Sequence, residues 1–409
     1  MALENNRGGA ARAAASERHP VTSTIRRLSA VALAPLFAAA LVIAPAVAPV
    51  AAATTTPVGE GLEYVALGDS YAAGLGLDPD PDQPVSGCAQ GLGNYPRTLA
   101  SLTGLSLTDM TCSAAETKNL IGDAQNPGGG TNPVQTDALS ASTRIVTITI
   151  GGNDLGFISL LTSCIALSRT GPTISGSAAN CAEVLEADGT YDEKIATTVV
   201  GDSASASTGL TAAFSAVRKA APNADVFVIG YPSIMPDAAN TPFDGCYRAD
   251  ITGESLSTFR IENGFPFTDV DVEFIRATQQ KLDAASAQAA EAAGFTYVST
   301  LAGSAAHSAC QTDGTAYVNG VTFQSDANHE ITMPAGALHP NAAGEAFLAD
   351  SVLPLVEAAL TPDDSPTTPA VTLPGGAELP IALIAVGAGV LVLAIVLVVV
   401  LRRRRAPRT

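Results

Sequence analysis

Short runs of apolar and β-branched residues alternate with longer segments of helical periodicity along the middle of the chain. Four such runs predict buried strands over residues 62–67, 144–150, 225–230 and 295–299. Helical spacing predicts helices over 271–293 and from Asn341 or Ala342 to Leu360. Because strands alternate with helices, the pattern favours an α/β fold whose mostly parallel sheet is covered on both faces.

A separate apolar run occupies the N-terminal region. Five arginines precede an apolar stretch over 28–50, and the small residues Ala51 to Ala53 follow it. This order predicts a signal peptide over 1–53 that is cleaved just before Thr54. An uncleaved N-terminal anchor is the alternative, but Pro35, Pro45 and Pro49 would disrupt a permanent spanning helix.

The C-terminal region carries a second apolar run, over 379–401. Its 23 residues contain no charge, and Arg402 to Arg405 follow directly. This pattern predicts a transmembrane helix over 379–401 with a cytoplasmic tail over 402–409. The Pro- and Thr-rich segment 361–378 is then a linker that holds the domain at 54–360 outside the cell. A sortase motif would need a Thr that Leu373-Pro374-Gly375-Gly376-Ala377 lacks, so we expect a retained anchor.

Charge and cysteine content narrow the function classes. Residues 54–401 hold 11 basic against 37 acidic side chains, a net charge of −26, which argues against nucleic acid as a partner. Six cysteines in an exported chain predict three disulfides, although the sequence alone permits 15 pairings. No cysteine or histidine cluster has zinc-site spacing, so neither a metal nor another cofactor is expected.

Polar motifs stand at the ends of two predicted strands and before the last helix. Gly68-Asp69-Ser70 follows the first strand, and Gly151-Gly152-Asn153-Asp154 follows the second. Between them lies Thr111-Cys112-Ser113-Ala114-Ala115, and His339-Pro340-Asn341 precedes the last helix. Ligands bind at the carboxyl ends of parallel strands, so these motifs are expected to meet there. Gly201-Asp202-Ser203 repeats the first tripeptide in a Ser- and Ala-rich context that predicts only a loop.

Taken in order, the four blocks GDSY, CSAA, GGND and HPN resemble the SGNH or GDSL hydrolase family, and most closely its secreted actinomycete lipases and esterases. The resemblance implies a flavodoxin-like three-layer α/β/α sandwich. It implies Ser70 as the nucleophile and His339 as the general base, with Ser70, Ala114 and Asn153 as the oxyanion hole. It also implies the disulfides Cys88–Cys112, Cys164–Cys181 and Cys246–Cys310.

The chain departs from the family at the third member of the catalytic triad. The family often has Asp three residues before the catalytic His, and this position is Gly336 here. By analogy with some actinomycete esterases, we expect a backbone carbonyl between Met333 and Gly336 to accept from the imidazole. Asp326 is the alternative. Either group would serve, because the third member mainly fixes the tautomer and orientation of the base.

The sequence therefore predicts an extracellular, membrane-tethered serine ester hydrolase that acts on acyl esters or lipids through an acyl-enzyme. Two alternatives remain open at this point. One is a polysaccharide O-deacetylase of the same family, and the other is a surface-binding module that has lost activity. Retention of Ser70, Asn153 and His339 argues against an inactive module.

Overall fold

The structure is a computed structural model that describes residues 57–174, 176, 178–185, 189–201, 208–249, 260–325, 331–361, 370–372 and 378–380. The predicted signal peptide, the cytoplasmic tail and residues 381–401 lie outside this range. Asp326 also lies outside it, as do Asp202 and Ser203 of the second GDS tripeptide.

A five-stranded parallel sheet forms the centre of the domain, in the order β2-β1-β3-β4-β6. Its strands are β1 Glu63–Gly68, β2 Ser106–Asp109, β3 Ile145–Thr149, β4 Asp225–Ile229 and β6 Thr296–Val298. The chain leaves β1 toward one edge and β3 toward the other, so the strand order reverses between these two neighbours. A crevice forms at such a switch point, beyond the carboxyl ends of the strands.

Helices cover both faces of the sheet. They are α1 Ser70–Ala73, α2 Tyr95–Thr103, α3 Thr117–Ile121, α4 Gly152–Leu155, α5 Phe157–Ser163, α6 Ala182–Leu185, α7 Thr190–Lys194, α8 Gly209–Ala220, α9 Asp269–Ala292, α10 Leu301–Ser304 and α11 Ala342–Leu360. Side chains of β1 alternate between the two faces. Val65 and Leu67 pack in the cluster that includes α8 and α9, whereas Tyr64 and Ala66 pack with α2 and α11. This arrangement confirms the predicted three-layer α/β/α sandwich.

The four predicted strands and two predicted helices are present with ends shifted by a few residues, but other elements were missed. The edge strand β2 reads Ser-Leu-Thr-Asp, and its side chains alternate between exposed and half-buried, so it lacks an apolar run. A second, antiparallel sheet in the order β5-β7-β8 was also missed. Its strands are β5 Arg260–Gly264, β7 Val321–Ser325 and β8 Ile331–Thr332.

The region predicted as linker and spanning helix contains two further short strands. Strand β9, Ala370–Thr372, pairs antiparallel with β10, Glu378–Pro380. Residues 370–372 lie within the predicted linker, and Leu379 and Pro380 lie at the start of the predicted transmembrane segment. Val371 and Thr372 are β-branched and favour a strand. Across the described ranges, no helix has the length and apolar composition needed to cross a bilayer.

Three disulfides fasten the loops around the sheet. They join Cys88 to Cys112, Cys164 to Cys181 and Cys246 to Cys310, the pairs that the family resemblance implies. The first holds the segment that contains Ala114 against the loop after α1. Disulfides of this kind form in oxidising compartments, so the domain is that of an exported protein.

Candidate active site

Ser70 lies at the sharp turn from β1 into α1. Gly68 ends the strand with φ of +144°, and a Cβ there would lie 2.4 Å from the Thr149 carbonyl oxygen of β3. Asp69 caps α1, because its Oδ1 accepts a 2.9 Å hydrogen bond from the Tyr71 N–H. Ser70 is therefore held at the carboxyl end of β1, where it is 7% exposed.

His339 meets Ser70 although 269 residues separate them in the chain. The Ser70 Oγ lies 2.8 Å from His339 Nε2. The other ring nitrogen, Nδ1, lies 2.8 Å from the carbonyl oxygen of Ala337. With the proton on Nδ1, the ring donates to that carbonyl and leaves Nε2 free to accept the serine proton.

The carbonyl that orients His339 is not one of those we expected between Met333 and Gly336. The Gly336 carbonyl instead accepts from the His339 N–H at 3.2 Å and from Asn319 Nδ2 at 3.1 Å. Leu338 adopts a left-handed backbone with φ of +58°. The short turn at Leu338 brings the Ala337 carbonyl, two residues before the histidine, to the imidazole.

The packing around Gly336 leaves no room for the aspartate that the family often has at this position. Gly336 has φ of +91°, and a Cβ there would lie 2.8 Å from the Cα of Gly76. A Cβ on Gly76 would lie 2.6 Å from the Cα of Gly336. Contacts this short leave no room for a side chain, so two backbones pack directly where the family often places a carboxylate.

Burial sets the protonation state of the base. His339 is 5% exposed. Burial lowers the pKa of His339 below 6.5, and the hydrogen bond to the Ala337 carbonyl opposes that shift. The lowered pKa keeps the imidazole neutral at pH 7, which is the form that a general base requires.

Asn153 lies in α4, just beyond the carboxyl end of β3. Its Nδ2 donates to the Ala115 carbonyl at 2.9 Å, so the side chain does not act as a helix cap. Asp154, the next residue, accepts from both the N–H and the hydroxyl of Thr117. These contacts join α4 to the segment around Ala114. An amide nitrogen carries two protons, so Asn153 retains one for a ligand.

Ala114 occupies the position where the family usually has glycine. Its φ is +61°, a left-handed conformation that glycine adopts without strain. The flanking Cys112 N–H donates to the Gly68 carbonyl at 3.0 Å, which places this segment beside the end of β1. In the described part of the chain, no acceptor takes the Ala114 N–H.

Two tyrosines that the sequence analysis did not single out also belong to the site. The Tyr71 ring lies 4.7 Å from the imidazole of His339 and 4.9 Å from the Tyr231 ring, centroid to centroid. The Tyr231 hydroxyl donates to Asp69 Oδ2 at 2.6 Å. Burial raises the pKa of Asp69 to about 7, against the hydrogen bonds that it accepts. Tyr231 could have been found, because it follows β4 at the same edge of the sheet as Ser70 and Asn153.

A narrow pocket of about 20 Å³ opens beside Ser70 and Asn153. Its apolar walls include Phe157, Ile158, Ile234 and Leu282. Ile158 is 41% exposed and lies on α5, which makes this helix one wall of the pocket. A volume of about 20 Å³ has room for roughly one water molecule, so the pocket does not hold an acyl chain as it stands.

Comparison with known proteins identifies the family. The model of the GDSL-like lipase/acylhydrolase family matches residues 66–347, more than half of the chain. The protein belongs to this family. Since the match spans both Ser70 and His339, the family assignment includes the whole candidate site. The GDSL-family chain is accordingly a carboxylic ester hydrolase.

Individual relatives agree with this assignment. Lipase 2 of Streptomyces coelicolor is 35% identical over 332 residues, which cover 80% of this chain and 96% of that protein. An esterase of Streptomyces scabiei is 28% identical over 354 residues, covering 81% and 95% of the two chains. The crystal structure of phospholipase A1 from Streptomyces albidoflavus NA297 has a TM-score of 0.50 and 24% identity, and covers 73% of this chain and 99% of that one.

Proposed function

We propose that this GDSL-family protein hydrolyses acyl esters or lipids through a covalent acyl-enzyme on Ser70. The observation that carries the proposal is the 2.8 Å contact between Ser70 Oγ and His339 Nε2. A serine hydroxyl is a weak nucleophile unless a base removes its proton during attack. His339 is buried, neutral at pH 7 and oriented by a carbonyl, so it meets that requirement.

The reaction follows from these positions. His339 Nε2 takes the Ser70 proton as Oγ attacks the ester carbonyl, and negative charge develops on the carbonyl oxygen. His339 then gives that proton to the departing alcohol, which leaves an acyl group on Ser70. A water molecule attacks the acyl group while His339 takes its proton. The acid departs when the proton returns to Ser70 Oγ.

Three donors are available for the developing oxyanion. They are the N–H groups of Ser70 and Ala114 and the remaining amide proton of Asn153. Each such donor typically contributes about 100-fold or more to the rate. Their elements are held together by the Cys112 and Asn153 contacts described above, so the donors are fixed before substrate binds.

The relatives favour a lipid-like acyl substrate, and part of the wall beside Ser70 is apolar. Phe157, Ile158, Ile234 and Leu282 form that apolar part, and the same pocket is also lined by the polar residues Asp69, Asn153 and Gln279. Proteins similar to this chain carry the names lipase, esterase and phospholipase A1. We expect hydrolysis of p-nitrophenyl butyrate and of longer esters. A chain-length series in which only the acetate is cleaved would instead indicate a deacetylase.

The serine role is tested by matched substitutions in the full chain. Ser70→Ala and His339→Ala should each abolish measurable turnover. Ser203→Ala, in the second Gly-Asp-Ser tripeptide, should leave turnover unchanged. Asp326→Ala should retain most activity, because the Ala337 carbonyl already accepts from His339.

A fluorophosphonate tests the covalent step directly, because it reacts with activated serines. We expect one label per molecule, on the peptide that contains Ser70. Labelling that survives Ser70→Ala, or turnover in that variant, would contradict the proposal. Absence of turnover in the wild-type protein would favour a binding module.

We further propose that the C-terminal region anchors the exported domain in the membrane. Residues 381–401 comprise 21 uncharged residues, still enough to span a bilayer, and Arg402 to Arg405 follow them. Protease added to intact cells should release an active domain by cleavage within 362–378. A domain found entirely in the culture medium with an intact C-terminus would refute the anchor.

A further inference from the structure

The three turns that contain Ser70, Asn153 and His339 are joined by one continuous set of hydrogen bonds. We call it the tyrosine bridge, and it consists of Tyr71, Asp69 and Tyr231. Its residues touch each of the three turns by a side chain or a backbone group. None of the roles proposed above uses these side chains.

One end of the bridge holds the loop that contains the base. The Tyr71 hydroxyl donates to the Leu338 carbonyl at 2.6 Å, directly before His339. Leu338 is the left-handed residue of that loop, with φ of +58°, a conformation that residues other than glycine rarely adopt. The Tyr71 hydroxyl thus fastens the peptide whose orientation sets the position of the imidazole.

The other end holds the turn that contains Asn153. The Gly152 N–H donates to the Tyr231 hydroxyl at 2.8 Å, and that hydroxyl donates to Asp69 Oδ2 at 2.6 Å. A Cβ on Gly152 would lie 3.1 Å from the Tyr231 hydroxyl, so glycine permits this close approach. Asp69 Oδ1 accepts from the Tyr71 N–H and completes the connection.

We propose that Tyr71 and Tyr231 are positioning residues for ester hydrolysis, with Tyr71 aligning His339 and Tyr231 aligning the oxyanion donors. This inference rests on the proposed function of Ser70, Asn153 and His339. The need for Tyr71 follows from Gly336, because the loop has no side-chain carboxylate at the position where the family often has Asp. Among the described residues, His339 Nδ1 is held by the Ala337 carbonyl, and Tyr71 fixes the peptide next to it.

Tyr71→Phe tests the first half, because it removes the hydroxyl and keeps the ring against His339. We expect kcat for p-nitrophenyl butyrate to fall by about tenfold, as for loss of one well-formed hydrogen bond, with KM changed less than twofold. The proton resonance of His339 Nδ1–H should also shift or broaden. Tyr64→Phe is the matched control, since the buried Tyr64 hydroxyl contacts Thr147 Oγ1 at 2.7 Å on the other face of the sheet. Tyr64→Phe should change neither kcat nor the Nδ1–H resonance of His339.

Tyr231→Phe tests the second half independently, so that failure of one variant to fold leaves the other informative. We expect a similar fall in kcat and about tenfold weaker inhibition by a trifluoromethyl ketone, whose adduct with serine places an oxyanion in the hole. The Nδ1–H resonance of His339 should stay in place. The resonance should respond to Tyr71 and not to Tyr231, because the Tyr71 hydroxyl contacts the peptide before His339 whereas the Tyr231 hydroxyl contacts Gly152 and Asp69.

The outcomes separate this inference from the proposed function. An inactive wild-type protein would refute the role of Ser70 itself. The positioning roles alone would be overturned if the wild type were active and both tyrosine variants behaved like Tyr64→Phe. That comparison covers kcat, the Nδ1–H resonance of His339 and inhibition by the trifluoromethyl ketone.

Discussion

The contact between Gly76 and Gly336 yields a sharp prediction, because a single methyl group placed there should disturb the catalytic base. Gly336→Ala forces an alanine into φ of +91°, at a cost of about 1–2 kcal/mol. Its Cβ would also lie 2.8 Å from the Gly76 Cα, and relief of that clash costs about 1–3 kcal/mol more. The free energy of unfolding should fall by about 2–5 kcal/mol, which many domains survive.

The same substitution should reduce turnover. To relieve the clash the loop over 333–338 must move, and the Ala337 carbonyl moves with it. A misplacement of about 1 Å in a catalytic group can cost on the order of 100-fold in rate. Gly336→Asp, which places the family's residue at this position, should therefore impair the enzyme rather than improve it.

Gly314→Ala is the matched control for backbone strain. Gly314 has φ of +84°, and no described atom lies within 4 Å of a Cβ built on it. Urea denaturation followed by circular dichroism should show only the cost of the left-handed backbone, about 1–2 kcal/mol, and kcat should be unchanged. If Gly336→Ala matched Gly314→Ala in both stability and kcat, the close backbone contact would have no catalytic consequence.

Three further predictions concern the remaining site residues. Ala114→Gly should raise the free energy of unfolding by about 0.5–1 kcal/mol in urea titrations, because it removes the backbone strain of an alanine in the left-handed region. A loss of stability would contradict that conformation. The acid limb of kcat/KM should have its midpoint below pH 6.5, because burial lowers the pKa of His339 and only the neutral imidazole accepts the proton; a midpoint above 6.5 would contradict this. Asn153→Ala should lower kcat by about 100- to 1000-fold, and a loss under tenfold would remove Asn153 from the oxyanion hole.

Much of the fold could be predicted from local sequence. Central strands of a parallel sheet are buried on both faces, so β3 and β4 are nearly continuous runs of apolar and β-branched residues. The edge strand β2 has one solvated side, and Ser-Leu-Thr-Asp carries no comparable pattern. The antiparallel strands β5 and β7 are as long as β3 and β4, with five residues each, but their pairing depends on a contact between segments far apart in the chain.

The sequence by itself also determined which chemical groups stand at the strand ends, because Ser70 and Asn153 directly follow recognisable strands. Only the tertiary structure decided which groups support them. The carbonyl that orients His339 belongs to Ala337 because Leu338 turns left-handed and Gly336 packs on Gly76. The contact of Tyr71 with the Leu338 carbonyl likewise joins residues 267 positions apart. Hydrogen-bond partners of this kind are chosen by differences of about 1 Å in backbone position, which residue patterns along a chain do not encode.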